Sequence, residues 1–284
     1  MGCWYEESFH DRVRLALRVE RGVFAQRSEF QRVEIFDTAA YGRVLALDGI
    51  FMTSEKDEFF YHEMLVHPPL LSVARPERVL IIGGGDGGTA REVLRHPEVR
   101  QVQLVEIDQV VVSACQAHLS SIGTAWQDPR LELHIADGVR FVREAEAAQY
   151  DVILLDGSDP VGPAKGLFNR AFYEDCARLL RPGGVFALQS ESPVLLEDVF
   201  YAIQVTLGQV FSAVHPYFGP VPIYGAGTWS WTWAAHGGDP LSFDQHRAER
   251  IQIDSRLYNP DLHRGAFAMP NFVRQHIEAR SCVR

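Results

Sequence analysis

From residue 78 onward the chain repeats one pattern that leaves few folds open. Short, almost wholly apolar runs alternate with stretches of helical character. The runs are RVLIIG (78–83), VQLVEID (102–108), LELHIA (131–136), DVILLD (151–156) and GVFALQ (184–189). Between them lie TAREVLRHP, QVVVSACQAHL, GVRFVREAEA and NRAFYEDCARLL. A run without polar alternation is a strand buried on both faces, and such strands separated by helices build a parallel sheet covered on two sides. The pattern predicts an α/β fold with a doubly wound, mostly parallel sheet. Further on, SAVHPYF and GTWSWTWAAH predict a closing antiparallel pair. Trp229, Trp231 and Trp233 alternate there, so they share one face and are expected in the core.

The part ahead of this pattern reads differently. RLALRVE (14–20), QRVEIFD (31–37) and GRVLALD (42–48) alternate apolar and polar residues, the mark of half-buried antiparallel strands. Turn signals sit between Thr38 and Gly42 and at Asp48-Gly49. These features predict a small antiparallel β domain over residues 1–56, followed by the α/β domain over 57–284. DEFFYHEMLVHPPLLS, from Asp57, predicts a helix with an acidic first turn that halts near Pro68-Pro69.

Charge narrows the function classes. With 27 Lys+Arg against 37 Asp+Glu the net charge is −10, which argues against a nucleic-acid binder or an anionic-membrane binder. No apolar run approaches the ~20 residues of a membrane span. The four cysteines, Cys3, Cys115, Cys176 and Cys282, form no C-x-x-C pair and are expected as reduced thiols. The acidic start MGCWYEESFH lacks the basic and apolar regions of a signal peptide, so a cytoplasmic protein is expected.

Gly83-Gly84-Gly85-Asp86-Gly87-Gly88 follows a strand and opens a helix. Gly83, Gly85 and Gly88 satisfy G-x-G-x-x-G, and Glu106 ends the next strand. Glycines there permit a tight turn and close backbone approach, and the acid accepts ribose hydroxyls, so an adenosine-type ligand is expected at the carboxyl ends of the strands. Asp86 inside the loop would repel a pyrophosphate and welcome a ligand with positive charge, which favours a sulfonium nucleoside over a nicotinamide dinucleotide. Asp137 and Asp156 end two further strands, and Asp159 follows. All these strand ends share one rim, so Asp86, Glu106, Asp137, Asp156 and Asp159 are predicted to line one crevice. Their mutual repulsion needs cations or bound protons to relieve it, and a polyamine would do so. His62-Glu63 with His67 gives H-E-x-x-x-H, and a step of five turns the second ring by about 140° around a helix, so the two rings point apart. No metal site is expected. His10, His215 and His236 read as surface or packed histidines.

These residues resemble the spermidine synthase (polyamine aminopropyltransferase) family. The likeness runs from Trp4 to about Trp233. Its motifs, in order, are Phe30-Gln31, YGRVLALDG, DEFFYHEM, VLIIGGGDGGTAREVLRHP, VEID, DPRLELHIADG, YDVILLDGSDPVGPAKGLF, FALQSES and PIYGAGTW. The resemblance implies a Rossmann-like sheet of the class I methyltransferase type beside the small β domain, and a homodimer or homotetramer. It implies transfer of an aminopropyl group from decarboxylated S-adenosylmethionine, a co-substrate, to an amine, with no further cofactor. Carried over by position, Gln31, Glu106, Asp137, Gly138 and Pro163 would hold the nucleoside, beside the loop glycines Gly83 and Gly85, and Asp86 the aminopropyl ammonium. Tyr61, His62, Asp159 and Tyr224 would line the amine path, and Asp156 would be the catalytic base. Putrescine is the first expectation for the acceptor, ahead of cadaverine, agmatine or a triamine. The chain departs from the family's pattern at Met52, where Gln is frequent, at Gly157, in place of Ser, and at Gly225-Ala226, in place of Pro-Ser. A methyltransferase using S-adenosylmethionine, a nicotinamide-linked dehydrogenase and a polyamine-binding homologue without activity are the competing readings.

Overall fold

The computed structural model describes residues 3–9, 13–158 and 162–281. Five antiparallel strands form a meander at the start: β1 (Cys3–Phe9), β2 (Val13–Arg27), β3 (Arg32–Thr38), β4 (Gly42–Leu47) and β5 (Ile50–Ser54). The turn between β4 and β5 is Asp48-Gly49, both at positive φ (47° and 90°), which pairs Leu47 with Ile50. β2 is 15 residues long, twice the run that alternates in sequence. Its register slips between Val19 and Arg21 and again between Gly22 and Phe24, and each slip breaks the two-residue period.

The second sheet has seven strands in the order β11-β12-β10-β9-β6-β7-β8. They are β6 (Arg78–Gly83), β7 (Gln101–Glu106), β8 (Leu131–Ile135), β9 (Tyr150–Asp156), β10 (Leu180–Gln189), β11 (Ala213–Gly219) and β12 (Trp229–Ala235). The five apolar runs are β6 to β10, mutually parallel, and β11 and β12 close the edge antiparallel. Trp229, Trp231 and Trp233 are all buried in the core. Successive strands step outward from β6 through β7 to β8, and β9 then returns to the other side of β6. That reversal opens a crevice at the carboxyl ends of β6 and β9.

Helices cover both faces. On one lie α1 (Glu58–Ser72) and α2 (Gly88–Leu94), packed with Trp231 and Tyr217. On the other lie α4 (Gly138–Glu144), α5 (Arg170–Leu179) and α6 (Glu197–Leu207), around Phe172, Phe186 and Leu207. The intervening α3 (Gln109–His118) sets Val111, Ala114 and Cys115 against Val33, Ile35 and Leu45 of the small sheet, tying it to the crevice. Three helices follow: α7 (Gln245–Gln252), α8 (Pro260–Ala266) and α9 (Asn271–Ser281).

One expectation is corrected. α1 does not halt at Pro68-Pro69 but runs through both to Ser72. A proline at position 68 leaves the carbonyl of Met64 without its helical donor. The buried Tyr217 hydroxyl donates to that carbonyl at 2.9 Å, and Arg247 donates to the carbonyls of Leu70 and Val73 at the helix end. A tertiary donor thus replaces the one that Pro68 removes from Met64, and Arg247 secures the helix end. Among the described residues no helix is long and apolar enough to cross a membrane.

Candidate active site

The glycine loop fixes the floor of the crevice. Gly83 sits opposite Asp156 in the β6–β9 register at φ +83°, and the Gly84 amide donates to the Asp156 carbonyl at 3.0 Å. A Cβ on Gly83 would lie 2.0 Å from that carbonyl oxygen, so only glycine fits. Gly88 opens α2 against the face of His62, where a Cβ would lie 2.2 Å from the ring.

A pocket opens over this loop. It is lined by Gln31, Tyr61, His62, Gly83, Gly85, Asp86, Glu106, Asp137, Gly138, Asp156 and Tyr224, all singled out from sequence. Four of the five rim acids therefore meet. Asp159, like His10 and Cys282, lies outside the described residues. Pro163 falls in the 3₁₀ turn Gly162–Leu167, of which the backbone alone is described there. Met52 and Gly157 also border the pocket, as do Glu7, Gln189 and Trp229.

At one end stands Glu106, buried at the tip of β7. Burial, with the nearby Asp108 charge adding to it, pushes its carboxyl up to about 7. Its Oε1 accepts the Asp108 amide at 2.9 Å. Asp108 in turn caps α3 and accepts from Ser28 and from the Gln31 side-chain amide at 3.0 Å. Asp137 caps α4, its Oδ1 accepting the Val139 amide at 2.8 Å, so this acid is a helix cap as well as a pocket residue.

At the other end Asp156, Asp86 and His62 come together, with a carboxylate oxygen of each acid and a ring nitrogen of His62 all within 4.8 Å of one another. Asp156 accepts from Thr89 at 2.6 Å and from the Tyr61 hydroxyl. Burial, then the charge of Asp86, pushes the Asp156 carboxyl above the ordinary carboxylate range, and burial, then Asp156, does the same to Tyr61. Asp86 is not the bare carboxylate that the sequence suggests. Its Oδ1 accepts the Gly88 amide at 2.9 Å and its Oδ2 lies 3.3 Å from His62 Nε2. Burial opposes a charge on either group, yet each holds the other ionised: Asp86 below its usual range, His62 well above. Part of the relief for the acid rim is therefore built into the protein. The Tyr224 hydroxyl donates to the Met52 carbonyl at 2.9 Å, and its ring stands between Tyr61 and Trp229.

The rings of His62 and His67 do point apart, His67 facing His96 and Glu92. His215 packs against Trp233 and His236 is exposed. Cys3, Cys115 and Cys176 are free thiols. Two pocket residues carry no sequence signal of their own. Glu7 lies on β1, a strand without apolar alternation, and Gln189 ends β10 within an otherwise apolar run.

Comparison with known proteins decides the family. Residues 58–242 match the spermine/spermidine synthase domain, and residues 3–55 match the spermidine synthase tetramerisation domain. The chain belongs to the spermine/spermidine synthase family. It is 48% identical over 280 residues to the polyamine aminopropyltransferase of Prochlorococcus marinus, covering 96% of each chain. It is 42% identical to that of Halorhodospira halophila, covering 95% of this chain and 99% of the relative. Among solved structures, a spermidine synthase in complex with the transition state analogue AdoDATO superposes with a TM-score of 0.95 at 38% identity, covering 98% of this chain and 95% of the other. The spermidine synthase of Thermotoga maritima gives 0.94, with the same identity and coverage. The protein is thus an aminopropyltransferase of this family, with the Rossmann-like fold and small antiparallel domain that the sequence predicts.

Proposed function

We propose that the protein transfers the aminopropyl group of decarboxylated S-adenosylmethionine to putrescine, giving spermidine and methylthioadenosine. One observation carries the reading: Asp156, with its raised carboxyl, shares a single pocket with the paired Asp86 and His62 at one end and with buried Glu106 at the other. Glu106 suits a ribose, Gln31, Asp137 and Gly138 suit the rest of a nucleoside, and Asp86 suits the aminopropyl ammonium. Tyr61, Tyr224 and Trp229 offer aromatic walls for an alkylamine, and Glu7 offers a carboxylate to its far ammonium.

The chemistry follows from the groups. An alkylammonium titrates near ~10, so at neutral pH the acceptor nitrogen has no lone pair. Asp156 takes one proton from it, and a carboxyl raised above its usual range is a better base for that task. The bared nitrogen then attacks the carbon next to the sulfonium in line. The C–S bond breaks as the C–N bond forms, and the electron pair leaves with a neutral thioether. No group need protonate that leaving group, and no cofactor beyond the co-substrate enters the step. Holding both substrates end to end supplies much of the rate.

Met52, which borders the pocket where the family frequently has a Gln, bears on which amine is accepted, and cadaverine, agmatine or a triamine is the second reading for the acceptor. A homodimer or homotetramer is the expected assembly, supported by the match of residues 3–55. One experiment tests the function: incubation with decarboxylated S-adenosylmethionine and a panel of amines, with product analysis. Methylthioadenosine and spermidine from putrescine are expected. Adenosylhomocysteine formed from ordinary S-adenosylmethionine, with no methylthioadenosine from the decarboxylated form, would overturn the proposal.

A further inference from the structure

The hydrogen bonds of His62 lead out of the pocket as well as into it. Glu58 stands four residues before His62 on α1, and its Oε2 meets His62 Nδ1 at 2.7 Å. The same oxygen accepts from Arg91 Nη2, on α2, at 2.7 Å. Arg91 is itself held on its other nitrogens: Nε donates to Glu92 at 2.8 Å and Nη1 to the Ile122 carbonyl at 3.0 Å. The result is a line of alternating charge, Asp86, His62, Glu58, Arg91, Glu92, running from the pocket into the α1–α2 contact. Neither Glu58 nor Arg91 lines the pocket, and their side chains are only 7% and 16% exposed.

Such a line does more than join two helices. An imidazole with a carboxylate on each nitrogen has both ring protons committed, so its plane and its charge are fixed together. Its outer nitrogen then fixes the Asp86 carboxylate, whose other oxygen is already on the Gly88 amide. We propose that Glu58 and Arg91 are positioning residues for aminopropyl transfer: they clamp His62 from behind and so set the Asp86 carboxylate beside Asp156 without touching either substrate. This inference rests on the function proposed above. The charged and titratable groups around His62 are Asp86, Asp156 and Tyr61 on the pocket side and Glu58 and Arg91 behind, with Glu92, Arg95 and His67 beyond them.

The test uses the full-length protein as wild type, Glu58→Gln, Arg91→Lys and Arg91→Met. Histidine-selective ¹⁵N NMR reads the protonation of His62, calorimetry reads methylthioadenosine binding, and steady-state rates with decarboxylated S-adenosylmethionine and the best amine are taken across pH. In wild type His62 stays protonated through neutrality. In Glu58→Gln it loses its proton at lower pH, and the rate profile gains a limb that falls as pH rises through that loss. The kcat/KM for the amine drops about 10²-fold, the scale of a misplaced reacting group, while methylthioadenosine binding is unchanged. Arg91→Lys recovers part of what Arg91→Met loses, and this pair carries the test if Glu58→Gln does not fold. A folded Glu58→Gln with His62 still protonated and a wild-type pH profile overturns the inference alone. So does equal loss of nucleoside and amine binding with the profile unmoved. A wild type that forms no methylthioadenosine with any amine overturns the functional reading and this inference with it.

Discussion

The assignment of Glu106 to the ribose, proposed above, makes nucleoside binding a proton-linked event. The ordinary value of its carboxyl, 4.5, is pushed up to about 7, chiefly by burial. Ribose hydroxyls donate to the ionised form, so a bound nucleoside draws the proton off. A carboxyl titrating near 7 is about half ionised at pH 7, about a tenth at pH 6 and about a hundredth at pH 5. Affinity for methylthioadenosine should therefore be flat above pH 7 and weaken about tenfold for each unit below it, down to the value the carboxyl has in the complex. The sign for the empty protein is opposite. The folded group titrates above its unfolded value, so the empty protein loses stability as pH rises from 4.5 to about 7, by about 3 kcal/mol in all. Titration calorimetry across pH, in two buffers of different ionisation heat, measures both the affinity and the proton released. Glu106→Gln should bind more weakly and with no slope. A wild-type affinity constant from pH 5 to pH 8, about what an exposed carboxylate would give, refutes the assignment of Glu106 to the ribose.

Three further outcomes follow from the same geometry. Asp156→Asn should bind methylthioadenosine as the wild type does yet turn over about 10²-fold more slowly or worse, the scale of a lost general base; full turnover would remove Asp156 from the step. Gly88→Ala forces a Cβ into the His62 ring, so unfolding in urea should show a loss of about 1–3 kcal/mol together with a raised KM for the amine, and a variant of native stability would contradict the tight approach of α2 to His62. Tyr217→Phe leaves the buried Met64 carbonyl without a donor, and a cost of about 1–3 kcal/mol is expected by urea denaturation; no cost would mean that another donor carries the prolines of α1.

Particular residues show where sequence is a sufficient guide and where it is not. The strands β6 to β10 were legible because burial on both faces demands continuous apolar runs, and the rim acids because a doubly wound sheet brings its strand ends together whatever lies between. β1 was not, since the one buried side chain described on it is Glu7, a carboxylate where the period-2 rule looks for an apolar residue. β2 was half legible, because its two register slips break the alternation after Val19. Where α1 runs on through Pro68-Pro69, the Met64 carbonyl is served by Tyr217, which lies 153 residues away, and local propensity has no access to such a donor. At the site, sequence found Asp86 and His62 but not that they pair. The Glu58–His62 spacing of four was visible, yet Arg91 enters only because α2 packs across α1, a tertiary fact.

The most direct measurement is a crystal structure with methylthioadenosine and putrescine bound together. The ribose hydroxyls should rest on Glu106, with one amine nitrogen within hydrogen-bond reach of Asp156 and the Asp86–His62 pair beside it. Both compounds bound elsewhere, with Asp156 turned to bulk water, would contradict the reading of this crevice as the place where an amine loses its proton and meets the nucleoside's sulfonium-linked carbon.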